Sequence, residues 1–298
     1  MKKILNYIIL SILIVFGFSI NVGAEENPFY TNLNGATLTE SQYNNLRTVF
    51  SENTIATMTV EQIDLIKNET DFNVSNETHY IKTIDYYENN KYRNSVSSEV
   101  TEYYALNYDP SQEVMPMGWN VSIQPGIKKL YMQVVTGNSL SIKIVTITNT
   151  WMTLPKVRAY DVIALRPDSS WLILNNDKKM ISGYQLADGT RHPYDGFGAN
   201  TNLNNNGVGI SMNLVNNATY ELENSMTVYF VSGANPFKIY GSYQHATSET
   251  SQSESLNYDF NANGLGGVID FKKDSIKNKY DKMQGVFLSY NSGDELFG

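Results

Sequence analysis

The chain has 298 residues, no cysteine, and 22 basic against 30 acidic side chains, a formal net charge of −8. A field of that sign repels phosphate backbones and anionic membranes, which sets nucleic acid aside as a partner. Without cysteine neither a disulfide framework nor a thiolate metal site is available, so stability must come from the core, and a chain of this length buries enough surface to supply it.

The first residues carry Lys2 and Lys3, then an apolar stretch dominated by Ile8 to Phe18, then Val22-Gly23-Ala24. A basic start, an apolar middle and a small-residue site in that order predict a secretory signal peptide over 1 to 24, cleaved after Ala24. The alternative is a retained N-terminal anchor, because Ile4 to Ile20 approaches the ~20 residues of a spanning helix. Cleavage removes Lys2 and Lys3, leaving 20 basic and 30 acidic residues and a net of −10. The expected location is secreted or cell-surface associated, with no membrane span in the mature chain.

Two helix starts follow, in a segment expected over 25 to 75. In Leu38-Thr39-Glu40-Ser41-Gln42-Tyr43, Thr39 suits an N-cap, Gln42 suits N3, and Leu38 can meet Tyr43. Met58-Thr59-Val60-Glu61-Gln62-Ile63 repeats the arrangement. A capping box with a hydrophobic staple, twice over, predicts helices near 40 to 50 and 60 to 67. A hairpin this small must dock on something, and the rest of the chain is the expected surface.

From about residue 76 to 298 the sequence turns to short runs rich in Tyr, Val, Ile and Thr, punctuated by Asn, Gly, Asp and Pro. Such runs include Thr78 to Tyr87, Lys129 to Thr136, Leu140 to Thr148, Val157 to Leu165, Trp171 to Leu174, Val208 to Val215, Thr227 to Val231 and Phe237 to Tyr243. Leu140, Ile142 and Ile144 alternate with Ser141 and Lys143, the period of a half-buried strand. The expected fold is α+β and predominantly β: a small N-terminal helical hairpin followed by an antiparallel β-sandwich-like body. Residues 188 to 209 carry dense turn signals and read as a long loop. Thr247 to Ser255 lacks any apolar residue and reads as a linker, a solvated strand or a mobile loop. Phe260 to Phe271 and Gln284 to Tyr290 read as closing strands around a short helix near Lys273 to Lys282.

No catalytic motif stands out. His79, His192 and His245 lie far apart, so a zinc site would need three distant histidines to converge. Calcium is the one cofactor candidate, through Asp188, Asp195, Asn200, Asn202 and Asn204, although two carboxylates are few for such a site. There is no Gly-x-Ser-x-Gly, and Gly264-Leu265-Gly266-Gly267 lacks the spacing and the Lys-Ser/Thr of a phosphate loop. Arg191, His192, Tyr194, Asp195 and Phe197 combine planar rings with hydrogen-bonding groups, a composition suited to a glycan or protein ligand. The leading expectation is therefore a non-catalytic binding protein acting through loops on a β scaffold. The alternatives are a secreted hydrolase with a carboxylate pair and a β-pore-forming protein, whose strands would need an apolar-out alternation that Thr247 to Ser255 lacks.

Overall fold

The computed structural model describes residues 28–113, 120–137, 142–167, 171–173, 177–194, 199–204, 206–232, 237–261, 268–281 and 285–290. The expected signal peptide lies outside these residues. In chain order the elements are β1 (Tyr30–Thr31), β2 (Thr37–Leu38), α1 (Glu40–Arg47), α2 (Glu52–Thr57), α3 (Val60–Ile66), β3 (Phe72–Glu88), β4 (Lys91–Val100) and α4 (Glu102–Leu106). Then come β5 (Val121–Gly137), β6 (Ile142–Trp151), β7 (Tyr160–Pro167), β8 (Trp171–Ile173), β9 (Ile181–Ala187), β10 (Thr190–Pro193), β11 (Asn200–Asn204) and β12 (Gly207–Asn213). The last are β13 (Leu222–Ser232), β14 (Phe237–Gln244), α5 (Gln252–Ser255), β15 (Tyr258–Phe260), β16 (Ile269–Phe271), α6 (Asp274–Lys277) and β17 (Val286–Tyr290).

Both expected capping boxes are present. Thr39 caps α1 with Gln42 returning the hydrogen bond, and Thr59 caps α3 with Gln62 doing the same. The reciprocal bonds satisfy donors that the first helical turn otherwise leaves orphaned. The structure adds a third short helix, α2, between them, capped by Ser51 alone. These helices dock on the body, as expected. Leu46, Ile55, Met58, Ile63 and Ile66 are fully buried in the main core, and Gln62 Nε2 donates to Met180 O over 3.1 Å.

Two antiparallel sheets make the body. The first runs β10-β9-β13-β6-β5-β3-β4, with β8 also on β13, and the second runs β11-β12-β7-β14-β17. Alternate side chains of a strand point to opposite faces, and β13 shows how this layers the molecule. Tyr229 sends its hydroxyl to Gln62 O of α3 over 3.2 Å, whereas Asn224, an odd number of positions away, donates to the Tyr243 hydroxyl of the second sheet over 2.9 Å. The helices thus cover one face of the first sheet and the second sheet covers the other. On the far face of the second sheet, β15, β16 and α6 build a smaller core from Val162, Ala164, Tyr258, Phe271, Ile276 and Tyr280.

The β3–β4 hairpin turns at Asn89 and Asn90, both with positive φ (53° and 62°), the backbone a two-residue turn of primed type demands and one that asparagine tolerates. Residues 188 to 209, expected as a loop, contain β10, β11 and the start of β12. Asp188 (φ 49°) and Gly189 (φ 76°) make a tight turn from β9 into β10, so the turn signals there mark a hairpin rather than an open loop. The polar segment 247 to 255 is ordered as well. Ser251 caps α5 in a box with Glu254, and Thr247, Thr250 and Ser255 are buried through their hydroxyls. Hydrogen bonding replaces apolar content as what holds that segment.

Candidate functional site

Three of the five predicted binding residues are described; Asp195 and Phe197 lie outside the described residues. Arg191 on β10 points its Nε at Asn53 Oδ1 of α2, 2.7 Å away, and so ties the helices to the sheet edge. His192 lies opposite Gln185 in the β9–β10 pair. Tyr194 is buried, its ring laid over Gly183, where a Cβ would come within 2.0 Å of a ring carbon. Only glycine allows that approach.

Around Tyr194 the segment meets the N-terminal region in a cleft of about 230 Å³. Its lining mixes Ile181, Gly183, Pro193, Tyr194 and Ile210 with the buried Thr57 and Ser182, and Asn34, Thr59, Asn200 and Thr201 add further polar groups. Lys178 brings one cation to the rim. The Asn34 amide is spent on Thr57 O and Met58 O, at 2.9 and 3.0 Å, which fixes that wall. Whole small-molecule sites run to about 300–1,000 Å³, so this cleft matches one sugar ring or one side chain of a longer ligand.

Asp188, a member of the calcium set, is committed to protein partners. Its carboxylate accepts from the backbone N–H groups of Thr219, Tyr220 and Glu221, at 2.7 to 3.0 Å, and from the Thr219 hydroxyl at 2.8 Å. These bonds, led by that of Tyr220, hold its pKa down at about 2. No cluster of three or more metal-binding side chains occurs among the described residues. Asp188→Ala is expected to leave the fold intact and to speed amide exchange at Thr219 to Glu221 by at least about tenfold, read by hydrogen–deuterium exchange. The wild-type anchor should hold until the pH falls to about 2, because that is where the carboxylate protonates.

The most charged interior region lies between the sheets and was missed by motif reading. Lys128 of β5 and Asp281 form an ion pair in which each side chain is 1% exposed. Asp161 of β7 accepts from the Tyr243 hydroxyl at 2.7 Å and from the Ala246 N–H at 2.8 Å, and both its oxygens lie 3.0 Å from His245 Nδ1. Trp151 stands edge-on to His245, ring centroids 4.8 Å apart, and the Lys128 ammonium lies over the rings of Trp151 and Tyr243 at 5.4 and 5.6 Å. Asp281 also accepts from the His245 N–H at 3.0 Å. Beside this network Asp85 of β3 is buried with Oδ1 unpartnered among the described residues. Burial, with the Asp281 charge adding to it, raises Asp85 to a pKa of about 6.

An elevated acid next to a carboxylate and a carboxylate-oriented histidine is a set that general acid–base chemistry uses. The crevice reaching Asp85, His245 and Asp281 measures about 20 Å³, however. That volume suits one water molecule and no sugar ring. Its walls are Pro125 of β5, Trp151 of β6 and the segment Thr153 to Pro155 that follows it, among others. The bonded cluster joins β5, β7 and β14 with the segment after α6, and Asp85 of β3 lies beside it with Oδ1 unpartnered among the described residues.

No protein-family model matches the sequence, and no curated protein matches it. Among solved structures the chain is similar to the collagen-binding domain from a Staphylococcus aureus adhesin, at 6% identity and a TM-score of 0.29, over 50% of this chain and 87% of that one. It is similar to the collagen-binding domain of Erysipelothrix rhusiopathiae surface protein RspB, at 6% identity and a TM-score of 0.29, over 56% and 62%. A third likeness is to the KRT10-binding region domain of the pneumococcal serine rich repeat protein PsrP, at 10% identity and a TM-score of 0.26, over 58% and 88%. Likenesses this remote carry no argument about function, which rests on the site itself. Among the described residues no helix is long and apolar enough to cross a membrane.

Proposed function

We propose that this is an exported, non-catalytic binding protein of the extracellular space or envelope, which takes a glycan or protein ligand on its β scaffold. The observation that carries this reading is the cleft of about 230 Å³ in which Pro193, Tyr194, Asn200 and Thr201 meet Asn34, Thr59 and Lys178. A concave lining that combines apolar side chains and an aromatic ring with a few amides and hydroxyls is the usual build of a recognition site. Tyr194 lines the cleft, and Arg191 braces the α2 wall through Asn53. The crevice at Asp85 is too small for a sugar ring, so its carboxylates do not supply the site the hydrolase alternative needs.

The test fills the cleft from its rim. Thr201→Trp combined with Lys178→Glu is expected to lower binding to a glycan and extracellular-protein panel by about tenfold or more while the thermal midpoint stays within a few degrees. Unchanged binding by a folded double variant would remove the cleft as the ligand site.

A further inference from the structure

A second groove, of about 710 Å³, opens where the β3–β4 tip meets the 156 to 158 strand entry and the polar segment 247 to 249. It gathers Lys91, Lys156 and Arg158 against one acid, Glu249. In a chain with net charge −8 this is a local reversal of sign. No ion pair engages Lys91, Lys156 or Arg158 among the described residues. Arg158 spends Nη2 on Ala218 O at 3.4 Å, while its Nη1 is buried without a hydrogen-bond partner among the described residues. Like charges held near one another raise the energy of the free protein, a cost only partly offset by Glu249 and, at Arg158, by Asp161 and Asp188, and one that an anionic occupant relieves.

The remaining walls specify what kind of anion fits. Tyr87 and Tyr92 stand edge to face, centroids 5.9 Å apart. Their hydroxyls are tied to backbone carbonyls, Tyr87 to Thr247 O and Tyr92 to Tyr280 O, each at 3.3 Å. The rings are thus presented in fixed positions at low entropic cost. Asn90, Asn216 and Asn278 add amides on three sides, each able to donate and accept toward hydroxyl groups. Rings for the faces of sugars, amides for their hydroxyls and cations for their acid groups match an acidic saccharide. The negative field of the whole chain acts on every polyanion, and a short acidic oligosaccharide brings fewer charges into it than a long nucleic acid. We infer that the groove between the β3–β4 tip and residues 247 to 249 is a binding site for an acidic oligosaccharide, its carboxylate or sulfate groups held by Lys91, Lys156 and Arg158.

Binding can be measured by calorimetry with a galacturonate hexamer, a heparin hexasaccharide, neutral maltohexaose and a hexaglutamate peptide. Lys91 and Lys156 are exposed, so Lys91→Glu with Lys156→Glu preserves the fold, which circular dichroism verifies. The expected result is binding of one or both acidic saccharides, weakened by about tenfold or more in the double variant and by added salt, and strengthened in Glu249→Gln. Galacturonate binding would identify carboxylate as sufficient, whereas heparin binding alone would identify sulfate. Maltohexaose should bind far more weakly. The Thr201→Trp/Lys178→Glu variant should bind the acidic saccharide normally, which separates this site from the cleft. No binding of either acidic saccharide, equal or tighter binding of hexaglutamate, or indifference to both charge substitutions would overturn the inference.

Discussion

Lys128→Met is expected to destabilise the protein by about 3–5 kcal/mol, the cost of breaking a buried ion pair from one side. The side chains of Lys128 and Asp281 are each only 1% exposed, so water cannot replace the missing ammonium. Without it the Asp281 carboxylate keeps the His245 backbone N–H and faces Asp85 with the ammonium that offset the two acids gone. The methionine fills much of the lysine's volume and keeps contact with Trp151 and Tyr243, so the loss reports charge rather than a cavity. A second substitution separates these terms. Lys128→Met with Asp281→Asn removes the orphaned charge and retains an oxygen for the His245 N–H, and it should recover more than half of the loss. Urea unfolding of wild type, both single variants and the double variant gives the coupling. A loss under about 1 kcal/mol for Lys128→Met would mean that the pair is solvated.

Asp85 gives the second large effect, visible as a pH dependence. Its pKa is about 6 in the folded protein, above the ordinary aspartate value of 3.8, so the folded state holds the proton more tightly than the unfolded state. Stability is therefore fully present below about pH 4, falls as the pH rises, and has lost this contribution above about pH 6. Two pKa units correspond to about 3 kcal/mol. The groups that set this value are Asp281, which raises it, and His245, Ser95 and Lys128, which lower it by less than burial raises it. Asp85→Asn cannot ionise. At pH 7.5 it should be more stable than wild type by up to about 3 kcal/mol, and the two should converge near pH 4. Carboxylates away from this cluster titrate equally in both proteins, so the difference between the two curves reports Asp85 and its coupling to Asp281. Parallel curves from pH 4 to 7.5 would show that its carboxyl is not held in the protonated form.

The buried cluster was legible in part. Lys128 stands in period-two register with Leu130 and Met132, and Asp161 with Ile163 and Leu165. A charge on the apolar stripe of a strand is a sequence sign of a buried, partnered ion. The partners were not legible, because Lys128 and Asp281 are 153 residues apart and no local spacing links them. The segment 188 to 209 failed differently. Its glycines and asparagines signal turns correctly, yet β10 and β11 are too short and polar to announce themselves before the neighbouring β9 and β12 supply their ladders. Thr247 to Ser255 likewise reads as unstructured by composition, and only the neighbouring Lys279 O, the Tyr160 N–H and the Ser211 hydroxyl give its hydroxyls partners.

By itself the sequence determined the features whose physics is local: the capped starts of α1 and α3, the alternating strands of the body, and a core that must stand without disulfides. Capping and side-chain alternation act over a few residues, so a single stretch contains the whole cause. The tertiary structure alone decided which charges meet. The Lys128–Asp281 pair, the Asp161–His245 contact, the cleft at Tyr194 and the cationic groove at Lys91, Lys156 and Arg158 are all made by strands or loops distant in sequence. Electrostatic energy depends on separation in space and on burial, and both are fixed only when the two sheets close on each other.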